Sequence, residues 1–142
     1  MASRMTGDDW KQFAFGTART AKLATVRADG APHVAPVWVA LDGDEIVFTT
    51  GRATMKGKAL RRDPRVALCF DDEMPPFSFV LIEGAAHVSE DADALFAWST
   101  ILAGRYMGHD RAEEFGRRNA VPGELLVHVR PTRIVGHRNM SE

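Results

Sequence analysis

The sequence predicts one β-rich α+β domain spanning residues 1–142, a small barrel of about six antiparallel strands with short helices, closed by the last strand. Three observations carry this. Apolar and polar residues alternate with a period of two in several segments, among them Ala21–Val26 and Arg65–Phe70. Asp29-Gly30, Asp42-Gly43 and Pro122-Gly123 punctuate these segments as tight turns. Length and composition agree: 142 residues, 45% apolar and 26% charged, describe an ordinary globular domain large enough for a core.

In chain order, Thr6-Gly7-Asp8-Asp9 reads as a helix start with Thr6 as N-cap. Trp10, Phe13 and Ala14 share one face of that helix, and Gly16 ends it. Strands follow at Thr20–Val26, His33–Ala40 and Glu45–Thr50, joined by Asp-Gly turns as an antiparallel meander. Pro36 cannot donate to a ladder, so the second of these strands is an edge, a bulge or a bend at that point. A fourth strand, Arg65–Phe70, carries Cys69 as a small buried filler, and a fifth runs from Ser78 to Val88 with Gly84 as a bulge or close approach. Ser89–Asp93 opens a helix with Leu95, Phe96, Trp98, Ile101 and Leu102 on its apolar face, broken at Gly104 and Gly108. Asp110-Arg111-Ala112-Glu113 resembles a capping box for a second short helix ending near Asn119. The last strand runs from Glu124 to about Val135.

One stretch stands out chemically. Between Arg52 and Arg65 lie six Arg or Lys and one Asp, a local +5 in a chain of net charge −1, leaving −6 for the rest. It follows a strand ending in Thr49-Thr50-Gly51 and enters a helix closed by Asp63-Pro64. A strand, a glycine and a hydroxyl- and lysine-rich helix start form a seat for an anion or phosphate, because free N–H groups and the helix dipole point outward there. A solvated charged helix face is the other reading, and the residues alone leave both open.

Other chemistries find little footing. His33, His87, His109, His128 and His137 have no metal-ligand spacing, so no metal site is expected. A lone cysteine excludes an internal disulfide. No Gly-x-Ser-x-Gly, Walker-type or Gly-x-Gly-x-x-Gly motif occurs, and no catalytic acid, base or nucleophile can be named. An enzyme of this kind leaves its chemistry to a cofactor. The basic stretch lacks interleaved aromatics and the remainder is acidic, which argues against nucleic acid. No apolar run reaches the roughly 20 residues that span a bilayer, and the N-terminus has no signal-peptide core, so a cytoplasmic location without membrane insertion is expected.

Two stretches resemble a known family. They are Asp29-Gly30-Ala31-Pro32-His33-Val34-Ala35-Pro36-Val37-Trp38 and Lys56-Gly57-Lys58-Ala59-Leu60-Arg61-Arg62-Asp63-Pro64-Arg65-Val66. Together they are similar to the pyridoxamine-phosphate-oxidase-like split β-barrel (FMN-binding-like) flavoproteins, and within them to the coenzyme F420-dependent (deazaflavin) oxidoreductases of actinobacteria. The resemblance implies a homodimer with cofactor at the subunit interface. By position it implies Lys56 and Lys58 on the cofactor phosphate, aided by Thr49, Thr50 and Arg52. Ala35, Pro36, Val37 and Trp38 would run along the ring, and Met74, Pro75 and Phe77 would cover it from the other subunit. Arg61 and Arg62 match a structural helix end. The tail Ile134–Met140 lacks the Trp-Arg-Leu-x-Pro type of ending, which disfavours pyridoxal phosphate synthesis, and Ala59 replaces the family's usual Asn.

The activity this resemblance implies is that of a reductase passing a hydride from reduced F420 to a small planar conjugated acceptor. An activated enone, a coumarin-type unsaturated lactone or a quinone would suit. The alternatives are an FMN oxidoreductase of the same fold and a non-catalytic cofactor or haem carrier.

Overall fold

The computed structural model describes residues 1–142. Strands β1 (Ser3–Arg4), β2 (Ala21–Val26), β3 (Pro32–Val37), β4 (Ala40–Asp42), β5 (Glu45–Gly51), β6 (Arg65–Asp71), β7 (Phe79–Ser89) and β8 (Glu124–Arg138) alternate with four helices, α1 (Asp9–Phe15), α2 (Met55–Arg62), α3 (Ala92–Met107) and α4 (Ala112–Asn119). A 3-10 turn, His109–Arg111, leads into α4. No helix is long and apolar enough to cross a membrane.

All strand pairings are antiparallel, and the sheet order is β3-β2-β6-β7-β8-β5-β4, with β1 on β8. The last strand therefore does close the curved sheet, because β8 pairs with both β7 and β5. The expected three-strand meander is corrected. What reads as one strand from His33 to Ala40 is two, interrupted at Trp38-Val39. β3 pairs only with β2 and β4 only with β5, so consecutive strands stand at opposite ends of the sheet. Pro36 lies opposite Lys22 on the free edge of β3, where its missing N–H costs no ladder bond. The barrel is split between β3 and β4.

Period-two alternation fills the interior. Leu23, Phe48, Leu68, Phe70, Ile82 and Val127 are fully buried and pack with Trp10 and Ala14 of α1. At about 25 cal/mol per Å² of apolar surface, burial of each such large side chain contributes about 1.5–3 kcal/mol. A smaller cluster, Val47, Leu95 and Leu126 with Trp98 against it, fastens α3 to the outer face of β5 and β8.

Several boundaries differ from the sequence reading. The first helix begins at Asp9 with Gly7 at φ 56°, and the Thr6 N–H donates to Asp9 Oδ2 at 3.0 Å, so Thr6 is not its N-cap. Gly104 lies inside α3, where its missing Cβ leaves room for the His109 ring; Gly108, at φ 100°, is what ends the helix. No side chain caps α4, so the predicted capping box is absent. Cys69 is only half-buried, on the outer sheet face, and burial pushes its thiol pKa up. Gly84 sits at a register shift opposite β8; a Cβ there would meet the Arg130 carbonyl oxygen at 2.7 Å.

Candidate functional site

The split creates the site. Where β3 leaves the sheet, a cleft of about 360 Å³ opens between the β3 terminus, the β5–α2 connection and the α3–α4 pair. Pro36, Val37 and Trp38 form one wall, Thr49, Thr50, Gly51, Thr54 and Lys56 a second, and Ser99, Leu102 and Asn119 a third.

The second wall is shaped by a helix cap. Thr54 is the N-cap of α2, with extended backbone, and its Oγ1 accepts the Gly57 N–H at 3.1 Å. The same hydroxyl donates to the Gly51 carbonyl at 2.7 Å and lies 3.2 Å from the Thr50 hydroxyl. These bonds hold the first turn of α2 against the end of β5. The first turn of α2, whose leading N–H groups have no intrahelical partner, borders the cleft at Thr54 and Lys56. Lys56 is the one charged side chain lining the cleft, and it is half-buried. Lys58 is exposed and outside the lining.

Glu124, paired in register with Gly51, adds an acid at this end. Burial pushes its pKa up, while the Thr49 hydroxyl and the Lys56 charge pull it down by less. A carboxyl with a raised folded pKa favours the protonated fold, so its stabilising contribution is lost as pH rises through the folded value. The expected outcome is that Glu124→Gln gains stability relative to wild type as pH rises from about 4 to about 7. Thermal unfolding across that range tests it; a constant difference would show that Glu124 is not perturbed by its surroundings.

The first wall is held by residues that sequence patterns did not single out. Tyr106 stacks on Trp38 with ring centres 4.9 Å apart and planes 1° from parallel. Its hydroxyl donates to the Arg19 carbonyl at 2.7 Å and accepts the Val39 N–H at 3.1 Å. Arg105 donates through Nε to the Val39 carbonyl at 3.0 Å, and through its two terminal nitrogens to the carbonyls of Phe15 and Thr17 at 3.3 and 3.4 Å. The last turn of α3 thus supplies the partners that Val39 loses where the ladder is interrupted. Ser99 and Asn119 were also missed. Ser99 lies between Trp98 and Thr100 and Asn119 between Arg118 and Ala120, with no motif around either, and only the packing of α3 and α4 brings them to the cleft.

The expected site residues separate. Pro36, Val37, Trp38, Thr49, Thr50 and Lys56 converge on one cleft. Ala35 is half-buried one residue outside it, and Arg52 turns away to pair with Glu90 at 2.9 Å. Met74, Pro75 and Phe77 are exposed in the β6–β7 loop and do not line this chain's own cleft. Arg62 donates to the Val26 carbonyl at 2.8 Å, and Asp63 accepts two side-chain bonds from Arg65, whose guanidinium holds the Asp63 pKa down at about 2. Those residues finish the helix. Among the histidines, His87 and His128 stack on the outer face of β7 and β8, and no group of three or more His, Cys, Asp or Glu is placed to hold a metal ion.

Comparison with known proteins matches residues 8–138 to the family model described as pyridoxamine 5'-phosphate oxidase. Among solved structures, a conserved hypothetical protein of Mycobacterium tuberculosis, Rv2991, is similar at 26% identity with a TM-score of 0.83, over 98% of this chain and 90% of that one. An F420 reductase is similar at 25% identity and TM-score 0.71, over 91% and 98%. A FAD-binding protein of Mesorhizobium loti shares the fold at 16% identity and TM-score 0.72, over 96% and 97%. No curated protein sequence matches.

Proposed function

The chain belongs to the pyridoxamine 5'-phosphate oxidase family, and from that premise we propose that it is a cytoplasmic coenzyme F420-dependent reductase. Its acceptor is a small planar conjugated molecule: an activated enone, a coumarin-type unsaturated lactone or a quinone. The observation that carries the reading is the make-up of one cleft. Lys56 and the capped start of α2 fit a phosphate, and the stacked Trp38 beside Pro36 and Val37 fits a flat ring. The 25% identity to an F420 reductase over nine-tenths of the chain supports the deazaflavin over other cofactors of this fold.

When bound, the reduced cofactor supplies the hydride. The chain's residues bind and orient. Lys56 neutralises the phosphate, the Thr49, Thr50 and Thr54 hydroxyls border it, and Trp38 fixes the ring plane. The proton comes from solvent, since no acid or base lies against the ring wall.

The working unit in this reading is a homodimer. The outer face of β3, β2, β6, β7 and β8 carries an apolar depression of about 510 Å³ bordered by Val34, Ala24, Cys69, Leu81 and Val135, with Val34 67% exposed. A second copy covers it. The face adjoins Pro36 across Lys22, and in this reading Met74, Pro75 and Phe77 of the partner subunit complete the cofactor cover.

Titration with F420 and with FMN, followed by tryptophan fluorescence on samples sized by light scattering, tests these points together. Tighter binding of F420, at one cofactor per subunit of a dimer, is the expected result. Lys56→Ala should weaken it by about 1–3 kcal/mol, roughly fivefold to a hundredfold, through loss of a charge-assisted contact. Lys58→Ala should leave it unchanged. A preference for FMN would move the protein to a flavin-dependent reaction, and equal effects of the two lysine variants would remove the phosphate from Lys56.

A further inference from the structure

We propose that Ser99, on the β7–β8 connector, is a cofactor-binding residue whose hydroxyl bonds to a hydroxyl of the polyol chain between phosphate and ring. The proposal rests on the cofactor reading above. Ser99 is 2% exposed, and its Oγ has no hydrogen-bond partner. A serine inside a helix ordinarily donates back to the carbonyl four residues earlier, as the next residue does: Thr100 Oγ1 donates to the Phe96 carbonyl at 2.9 Å. Ser99 makes no such bond. Three other buried side-chain atoms lack partners, on Arg19, Thr25 and His33, and none of those residues lines the cleft. Ser99 does.

Its position along α3 selects the ligand group. The helix begins beyond Glu90, which pairs with Arg52 beside the basic segment, and ends on Tyr106, which stacks on Trp38. Ser99 is midway between those ends, about 10 Å along the axis from Tyr106 at 1.5 Å per residue. The same lining holds Asn119 of α4 and the neutral polar residues Thr50 and Thr54. Lys56, the Trp38 shelf, and hydroxyl and amide groups in the same lining match a phosphorylated polyol carrying a planar ring.

The unpartnered state of the free protein gives the test an unusual signature. Removing a buried hydroxyl with no partner leaves nothing unsatisfied behind, so Ser99→Ala should unfold without ligand at the same temperature as wild type or higher. Its dissociation constant for F420, or for FMN if wild type prefers FMN, should rise about fivefold to twentyfold, the effect of one hydrogen bond left unmade. A lowered unfolding temperature of the ligand-free variant would overturn the proposal, because the hydroxyl would then have a structural partner. An unchanged dissociation constant would overturn it while leaving the cofactor reading intact. Wild-type protein that binds neither FMN nor F420 defeats the cofactor reading and this inference with it.

Discussion

Arg105→Ala should lower the stability of the protein by about 2–4 kcal/mol, a shift of roughly 5–12 °C in unfolding temperature for a domain of this size. The guanidinium donates to three backbone carbonyls, those of Val39 in the gap of the split barrel, Phe15 at the end of α1 and Thr17 just after it. It also lies 5.7 Å from the Phe15 ring centre and 5.6 Å from that of Tyr106. Truncation would leave partly buried carbonyls without donors, and an unmade bond costs more than a made one gains. Lysine is no substitute, because one ammonium cannot present the planar fork that reaches all three oxygens. The damage should extend to ligand binding, since Val39 follows Trp38 and both are fixed by the same helix turn. Chemical denaturation and cofactor titration of Arg105→Ala and Arg105→Lys check this. Wild-type stability in Arg105→Ala would mean that Tyr106 alone holds the gap.

That role of Arg105 marks where the sequence was legible and where it was not. Strand periodicity located the long strands, and the Thr49-Thr50-Gly51 lead into the basic segment located the strand end and helix start that line the cleft, because both signals are local. In the same segment Arg52 pairs with Glu90 and Lys58 is exposed outside the cleft lining. Composition reports that charges are near one another, not which way a strand end and a helix face turn them. Pro36 announced an irregular edge, but the gap at Trp38-Val39 carries no local signal. It exists because α3, distant in sequence, offers hydrogen bonds that replace the ladder. The third wall was invisible for the same reason: Ser99 and Asn119 meet the cleft only through packing of the connector helices. Met74 and Phe77 were expected from a partner subunit, and their distance from this chain's own cleft leaves that assignment to the proposed dimer.

Gly57→Ala should reverse the sign that helix propensity predicts. Alanine is favoured over glycine inside a helix by about 1 kcal/mol, so the change at the third residue of α2 would ordinarily stabilise. Here a Cβ would stand 2.1 Å from the Gly51 carbonyl oxygen and 3.0 Å from that of Arg52. Both are backbone atoms and cannot swing aside as a long side chain can. Relief requires lifting the first turn of α2 from the end of β5, which pulls on the Gly57 N–H bond to Thr54 and the Thr54 bond to Gly51. Overpacking of this kind costs about 1–3 kcal/mol and outweighs the propensity gain. Lys56 moves with the turn, so affinity for a phosphate-bearing cofactor should fall by about tenfold or more, beyond what the loss of stability alone would produce. Gly104→Ala is the matched control. Its Cβ would meet the ring of His109, an exposed residue, at 3.1 Å; that ring can turn away, so propensity should prevail and stability should rise slightly. Equal stabilisation by both alanines would show that α2 is not pressed onto β5, and the proposed anion seat would then owe its geometry to something other than this close approach.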